Sequence, residues 1–460
     1  MLRLSESATP PLGRSDLVVL LTAGALLVAL RAHAFPAPLE ADECNYLYVG
    51  QRLNAGDRLY ESVWDHQPPL MFALAAALTR MAGPGALAYR SLVTAVSLVN
   101  LLLVFLVARR GGGRAAGWLA AGLFAICSSD PGTAGEGGNR ELFMNALLLA
   151  AFLLWARPAG SRRFLQVLAG GFILGLASVL KTVVAAHWLA VIIWLGLTAW
   201  HRDKRVSGVA ADKTALTVGP VAVWLITWLY FVGTGRHSAF IDAVFLYNLG
   251  YSGVDGSWWA RFISFFDQAA VFRTAWPLWL AGFAGMVALP WRRNGPLAGS
   301  IAAMVIGSYV AVCLPGRFWP HYYYLLVPWL TICAGLLLRR LIGLSRRETL
   351  AWLYALAAMA LLVYVQARHY LLVPPDGIAV FRYGHRMAWA RDQGRRVGEV
   401  TGPEDTVYVY GSDTGIYYYS GRRCATRFTM IEPLSAERDG VQERRELFMA
   451  DFLENRPRVV

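Results

Sequence analysis

Apolar runs of the length that crosses a bilayer recur along most of this 460-residue chain. A hydrocarbon core of ~30 Å takes about 17–25 helical residues, and within it each backbone N–H and C=O must be satisfied inside its own segment. Runs of that kind, repeated, leave one architecture: a bundle of membrane-spanning helices. The candidates are residues 17–34, 88–108, 115–129, 141–156, 163–180, 182–200, 214–233, 273–291, 297–314, 321–338 and 350–368, eleven in all. With 56% of residues hydrophobic and only 16% charged, the chain has too little charge to cover a soluble domain of this size. The first run follows basic residues and ends in "AHA" (32–34), as a cleaved signal peptide also does; with ten runs behind it, we read it as a retained span.

The net charge of +13 is distributed by loop, not by domain. The loops at 108–114, 157–163, 201–213, 290–295 and 339–348 hold 16 Lys and Arg, against five (Arg140, Lys181, Arg236, Arg261, Arg317) in the later loops of opposite parity. Basic loops stay on the cytoplasmic side, which fixes the orientation. Nucleic acid would need a basic face on a soluble domain, and the stretch from residue 370 is close to neutral, so no nucleic-acid partner is expected. Residues 68–83 are apolar enough to cross, yet a crossing there would turn every later basic loop outward. They are therefore read as a helix at the outer surface. Residues 35–87 become one large outer loop with two interfacial helices, the first around Asn45–Ala55 and ending at Gly56. The other outward segments lie at 128–141, at Lys181, at 234–272 and at 315–324.

The five cysteines are scattered, without a CxxC pair, and read as small buried hydrophobes. Beyond the last run the pattern changes: an amphipathic helix over 386–400, a strand over 405–411, a helix over 444–455, and "RPRVV" (456–460) opening a further strand. The reading is a transmembrane domain over 1–369 and a small α/β extracytoplasmic domain over 370–460, cut short as the sequence stands.

Asp and Glu are absent from the interior of the spans, which weighs against an ion-coupled transporter. The acidic groups gather at the outer surface instead: Asp42, Glu43, Asp65, Glu136 and Glu141. Lys181, one of three lysines among 43 basic residues, stands alone between two apolar runs at the same face. It reads as a snorkelling side chain or as a cation for a lipid phosphate. Arg317 and His321 could add positive charge there. A carboxylate opposite cations at headgroup depth fits the transfer of a sugar from a lipid phosphate. Asp42 would take the proton of the acceptor hydroxyl, while Lys181, His321 and Arg317 would steady the departing phosphate. With phosphate charge met by protein cations, no metal or other cofactor is required.

"ADECNYLYVGQRLNAGDRLY" (41–60) followed by "DHQPPL" (65–70) resembles the first outer loop of GT-C fold glycosyltransferases that use polyprenyl-phosphate sugars. The nearest groups are the protein O-mannosyltransferase-like family 39 and the lipid A aminoarabinose transferases. The resemblance continues through "NRELFMNALLLAAFLL" (139–154), "GLASVLKTVVAAH" (175–187), "GRFWPHYYYLLVPWL" (316–330) and "VYVYGSDTGIYYYSGRR" (407–423). It implies an inverting transferase, with Asp42 as the catalytic carboxylate, Glu43 its companion, Glu141 the second-loop acidic residue and Lys181 the phosphate-binding lysine. Family members often read "DHKPPL"; Gln67 replaces that lysine here, and His66 or a nearby arginine is expected to take its phosphate contact. The implied partners are a polyprenyl-phosphate-linked sugar, membrane lipids, and a lipid, glycan or protein acceptor. The Arg-rich, Lys-poor, Ala-rich composition suits a high-GC bacterium, and the expected location is its inner membrane, with the site on the outer face.

Blander roles are assigned elsewhere: Asp65 as cap of the helix at Pro68–Pro69, Trp258, Trp259 and Tyr322–Tyr324 as interfacial anchors, and Glu136 as a solvated loop residue. Two other functions compete with the transferase, a flippase of lipid-linked glycans and a glycan-binding scaffold acting through the tail.

Overall fold

Residues 11–156, 163–202, 206–251, 257–289, 295–367, 372–377, 380, 384–435 and 440–460 are described by the structure, a computed structural model. Most of the basic loops at 157–163 and 290–295, and residues 252–256 of the outer loop, lie outside them. The fold is overwhelmingly helical. Its apolar helices are α1 (Arg14–Arg31), α4 (Ala86–Cys127), α5 (Arg140–Trp155), α6 (Arg163–Ser178), α7 (Ala185–Arg202), α8 (Val206–Gly233), α9 (Trp276–Val287), α10 (Gly295–Cys313), α11 (Val327–Leu344) and α12 (Glu348–Ala367). Among the described residues, six helices are long and apolar enough to cross a membrane: α1 with its extension to Ala34, α4, α8, α10, α11 and α12. Because α4 contains two of the expected runs, these six helices account for seven of the eleven.

The runs 88–108 and 115–129 are two helical segments of α4 that meet at a break, with no loop between them. At ~1.5 Å per residue, 42 residues would extend ~63 Å, about twice a hydrocarbon core. The reversal occurs at Gly113, whose φ of 78° is left-handed and open to glycine without steric cost. The arginines around this break grip the start of α1. Buried Asp16 accepts from Arg114 and, at 2.9 Å, from Trp118 Nε1, with Arg109 Nη2 3.8 Å away. Helix α11 then packs between α4 and α9, α6 between α5 and α8, and α7 against α10.

In the first outer loop, α2 spans Ala41–Asn54 and α3 spans Leu70–Ala82. Helix α2 begins four residues before its expected start. The reason is a cap: the Glu43 carboxylate accepts from the backbone N–H of Glu40 at 2.8 Å, satisfying a donor that a helix start leaves orphaned. Asp42 and Glu43 therefore sit in the first turn of the helix, not ahead of it. Helix α3, at 13 residues, is ~20 Å long and too short to cross. Asp65 does not cap it. Its Oδ1 accepts from Gln67 N at 2.8 Å, closing a turn before the helix begins.

The tail contains α13 (Arg386–Val400), α14 (Val441–Asn455) and two short parallel strands, β1 (Thr406–Val407) and β2 (Arg423–Cys424). The strand expected over 405–411 shortens to two residues. Past Val407 the chain pairs with "RPRVV" instead: Arg458 N donates to Thr406 O at 2.8 Å and Tyr408 N to Val459 O at 2.9 Å.

This tail seats on the first outer loop. Leu39 N donates to the Tyr419 hydroxyl, Thr414 Oγ1 to Ala41 O, Cys424 N to the Tyr48 hydroxyl and Trp64 N to Arg427 O, all within 2.7–2.8 Å. Loop and tail therefore share one side of the membrane, which requires an even number of crossings between them. The ten runs assigned there satisfy that; an eleventh at 68–83 would not. All five cysteines are buried and unpaired.

Candidate functional site

Between the first outer loop and the tail lies a cavity of about 260 Å³. Its floor is built by the start of α2, residues 64–67 and the start of α5, one side by residues 319–322, and its roof by tail residues from 386 to 433. Two carboxylates that are neighbours in sequence meet different surroundings here, because successive helical residues point about 100° apart. Asp42 turns into the cavity. Its side chain is 31% exposed, and the His321 ring lies beside it, with Nε2 3.9 Å from Oδ2. Glu43 turns the other way and is fully enclosed. Besides capping α2 it accepts from Arg90 Nη1 of α4 at 2.7 Å and from Gly138 N at 2.6 Å. Gly138 also accepts from the Tyr89 hydroxyl, and a Cβ there would collide with the Tyr89 ring. Glu43 thus fastens the loop to α4 and to the segment leading into α5, and it does not reach the cavity.

Asp65, set aside as a cap, lies on the cavity floor. Burial raises its carboxyl to about 6, against the opposing pull of Arg140. Its Oδ2 accepts from Asn45 Nδ2 at 2.8 Å, so both of its oxygens are engaged. Arg140, not singled out from the sequence, opens α5 and also faces the cavity. It is 5% exposed, its guanidinium sits 5.4 Å from the centre of the Tyr46 ring, and its Nε and Nη1 have no hydrogen-bond partner among the described residues. A cation at a helix N-terminus opposes the macrodipole. That local conflict was the one signal the sequence carried for it.

Lys181 and Glu141 are found together. Lys181 Nζ binds Glu141 Oε1 at 2.7 Å and lies 3.4 Å over the Tyr322 ring. Both are buried, neither lines the cavity, and Tyr322 stands between Lys181 and that space. Lys181 is therefore neither snorkelling nor waiting unpaired. Burial lowers its ammonium to about 8, with Glu141 acting in the opposite direction. His321 and His66 do line the cavity. Burial holds His321 below its ordinary value, so near neutral pH it is a hydrogen-bonding imidazole rather than a fixed cation. The His66 Nδ1 is 3.8 Å from Asp65 Oδ1. Arg317 is exposed and outside the cavity lining.

Two bland assignments are overturned. Tyr322–Tyr324 are buried within the fold, not spread at the interface, whereas Trp259 is exposed as an anchor would be. Glu136 is buried too, because the glycine-rich loop folds inward onto α1. Arg31 donates to the carbonyls of Ser128, Gly135 and Glu136, at 2.8, 2.7 and 3.2 Å.

Residues 66–234 match the family described as dolichyl-phosphate-mannose-protein mannosyltransferase. No curated protein matches the chain. Among solved structures, ArnT from Cupriavidus metallidurans bound to undecaprenyl phosphate is 19% identical, with a TM-score of 0.60, over 90% of this chain and 86% of that one. The apo state of ArnT gives 21% and 0.59, over 89% and 85%. The oligosaccharyltransferase AglB of Archaeoglobus fulgidus, in complex with an inhibitory peptide and a dolichol-phosphate, gives 14% and 0.50, over 89% and 64%. At these identities the likeness is one of fold.

Proposed function

We propose that this chain, which has the GT-C fold and matches the protein-mannosyltransferase family over residues 66–234, is a glycosyltransferase moving a sugar from a polyprenyl-phosphate carrier to an acceptor hydroxyl. The observation that carries this reading is Asp42: a partly exposed carboxylate with no hydrogen bond among the described residues, opening onto a roofed cavity beside buried Arg140. In the reaction, the acceptor oxygen attacks the anomeric carbon from the face opposite the phosphate, which inverts that centre. The bond between anomeric carbon and phosphate oxygen breaks, its electron pair stays with the phosphate, and the acceptor proton passes to Asp42. Glu141 and Lys181 support the wall behind Tyr322, His321 and His66 offer ring nitrogens to the cavity, and Arg317 stays at its periphery. Lipid, glycan and protein acceptors would all be served by the same base. Developing phosphate charge is met by protein cations, so no divalent metal is required. The likeness to proteins solved with undecaprenyl phosphate and dolichol-phosphate supports a lipid-linked donor.

Purified protein incubated with radiolabelled polyprenyl-phosphate sugars should release the label from the lipid onto an acceptor, with or without EDTA. Movement of intact donor across proteoliposomes without cleavage would instead fit a flippase and end the transferase reading.

The protein resides, on this reading, in a bacterial inner membrane with cavity and tail outside the cytoplasm. Cysteines placed at exposed Ser435 and Ser345 should then differ: in intact cells an impermeant thiol reagent labels the first and spares the second. The opposite pattern would put the cavity in the cytoplasm.

A further inference from the structure

We infer that Arg140, and not Lys181, is the cation that binds the donor phosphate; this rests on the lipid-phosphate donor proposed above. Four observations carry it. The guanidinium is nine-tenths buried, yet Nε and Nη1 have no hydrogen-bond partner among the described residues. Buried donors left unmade are expensive, so such a fork calls for an acceptor of matching shape. It faces the cavity that Asp42 faces, so a group held there sits next to the proposed base. Its position at the first residue of α5 works against the helix macrodipole and does nothing for the helix itself. Asp42, Asp65 and Glu141 are near enough to act on its charge, but none is within ion-pair distance among the described residues. They make the buried cation tolerable without occupying its donors.

Lys181 offers the contrast. Glu141 holds its ammonium at 2.7 Å, the Tyr322 ring covers it at 3.4 Å, and it does not line the cavity. A phosphate would have to displace both partners to reach it. Lys181 is accordingly a positioning residue, which fixes Glu141 and the back of Tyr322. Arginine also suits the task better: its planar fork matches two phosphate oxygens at once. As the bond to the anomeric carbon breaks, the additional charge lands on the phosphate. An interaction that strengthens at that moment lowers the barrier rather than only tightening binding.

The test compares two lipids on the full chain in nanodiscs, undecaprenyl phosphate and uncharged undecaprenol. Wild type should prefer the phosphate. Arg140→Gln should weaken undecaprenyl phosphate binding by about 10–100-fold and leave undecaprenol binding unchanged. Arg140→Lys should recover part of the loss, as a point charge replaces a fork. Lys181→Met should cost less phosphate affinity than Arg140→Gln. Wild-type phosphate affinity in Arg140→Gln would overturn the assignment, as would equal loss of both lipids, the mark of a purely structural role. A larger loss in Lys181→Met would return the site to the lysine. A wild-type protein that does not distinguish the two lipids would instead remove the lipid-phosphate donor itself, before any variant is compared.

Discussion

Asp42→Asn is expected to reduce single-turnover transfer by about 10²–10⁴-fold, the usual share of general-base catalysis, while donor affinity stays close to wild type. The substitution keeps the size and hydrogen-bonding reach of the side chain and removes its basicity. Asp42 suits the role because its oxygens accept no hydrogen bond among the described residues, and the His321 ring stays 3.9 Å away. Asp65 shares the cavity and is the natural competitor, since burial lifts it to about 6, close to the working range of a base. Its lone pairs are engaged by Asn45 and by the Gln67 N–H, however, so proton uptake there would disrupt two bonds that hold the floor. Rapid-quench measurement of label transfer, beside equilibrium binding of undecaprenyl phosphate, separates the two. Near-normal turnover in Asp42→Asn together with a large loss in Asp65→Asn would move the base to Asp65.

Asp42 was legible because a membrane imposes one-dimensional rules. Run length and loop charge placed the loop at 35–87, and a cluster of carboxylates there is conspicuous in an otherwise apolar chain. The same rules reach only as far as the spans. The start of α2 depended on Glu43 folding back to its cap, and the reversal of α4 on a single glycine. Arg140 stood in a quoted stretch, among 43 basic residues, and what distinguishes it is the enclosure of its guanidinium, a property of the tail and loops packed around it. The misread groups share that cause. Aromatic residues at a span junction are commonly interfacial, but Tyr322 is buried over a lysine that lies 141 positions earlier in the sequence. A glycine-rich loop is commonly solvated, but the 128–136 loop offers three carbonyls to one buried arginine. Sequence reading placed Glu43 beside Asp42 in chemistry as well as in order. The fold separates them by one step around a helix.

That separation makes a second large effect expected, in stability rather than chemistry. Arg90→Met should destabilise the protein by about 3–5 kcal/mol, the cost of leaving one member of a buried ion pair without its partner. Glu43 would keep its bonds from Gly138 N and Glu40 N, at 2.6 and 2.8 Å, but would carry its charge into a space closed to water. Glu43→Gln should also destabilise, because an amide presents donors where the site supplies only donors. The double variant should cost less than the sum of the two, since neither charge is then left alone. Thermal midpoints in one detergent, with transfer measured well below the lowest of them, distinguish this from a catalytic role. Arg90 does not line the cavity, so a structural pair predicts that Arg90→Met and Glu43→Gln lose stability together and lose activity together. An Arg90→Met protein as stable and active as wild type, beside a stable but inactive Glu43→Gln, would return Glu43 to the chemistry. The pair matters to the site because it joins three things: the start of α2 that carries Asp42, the α4 helix, and the segment through Gly138 that ends in Arg140. Loosening it should let the proposed base and the proposed phosphate cation drift apart, although neither residue was touched.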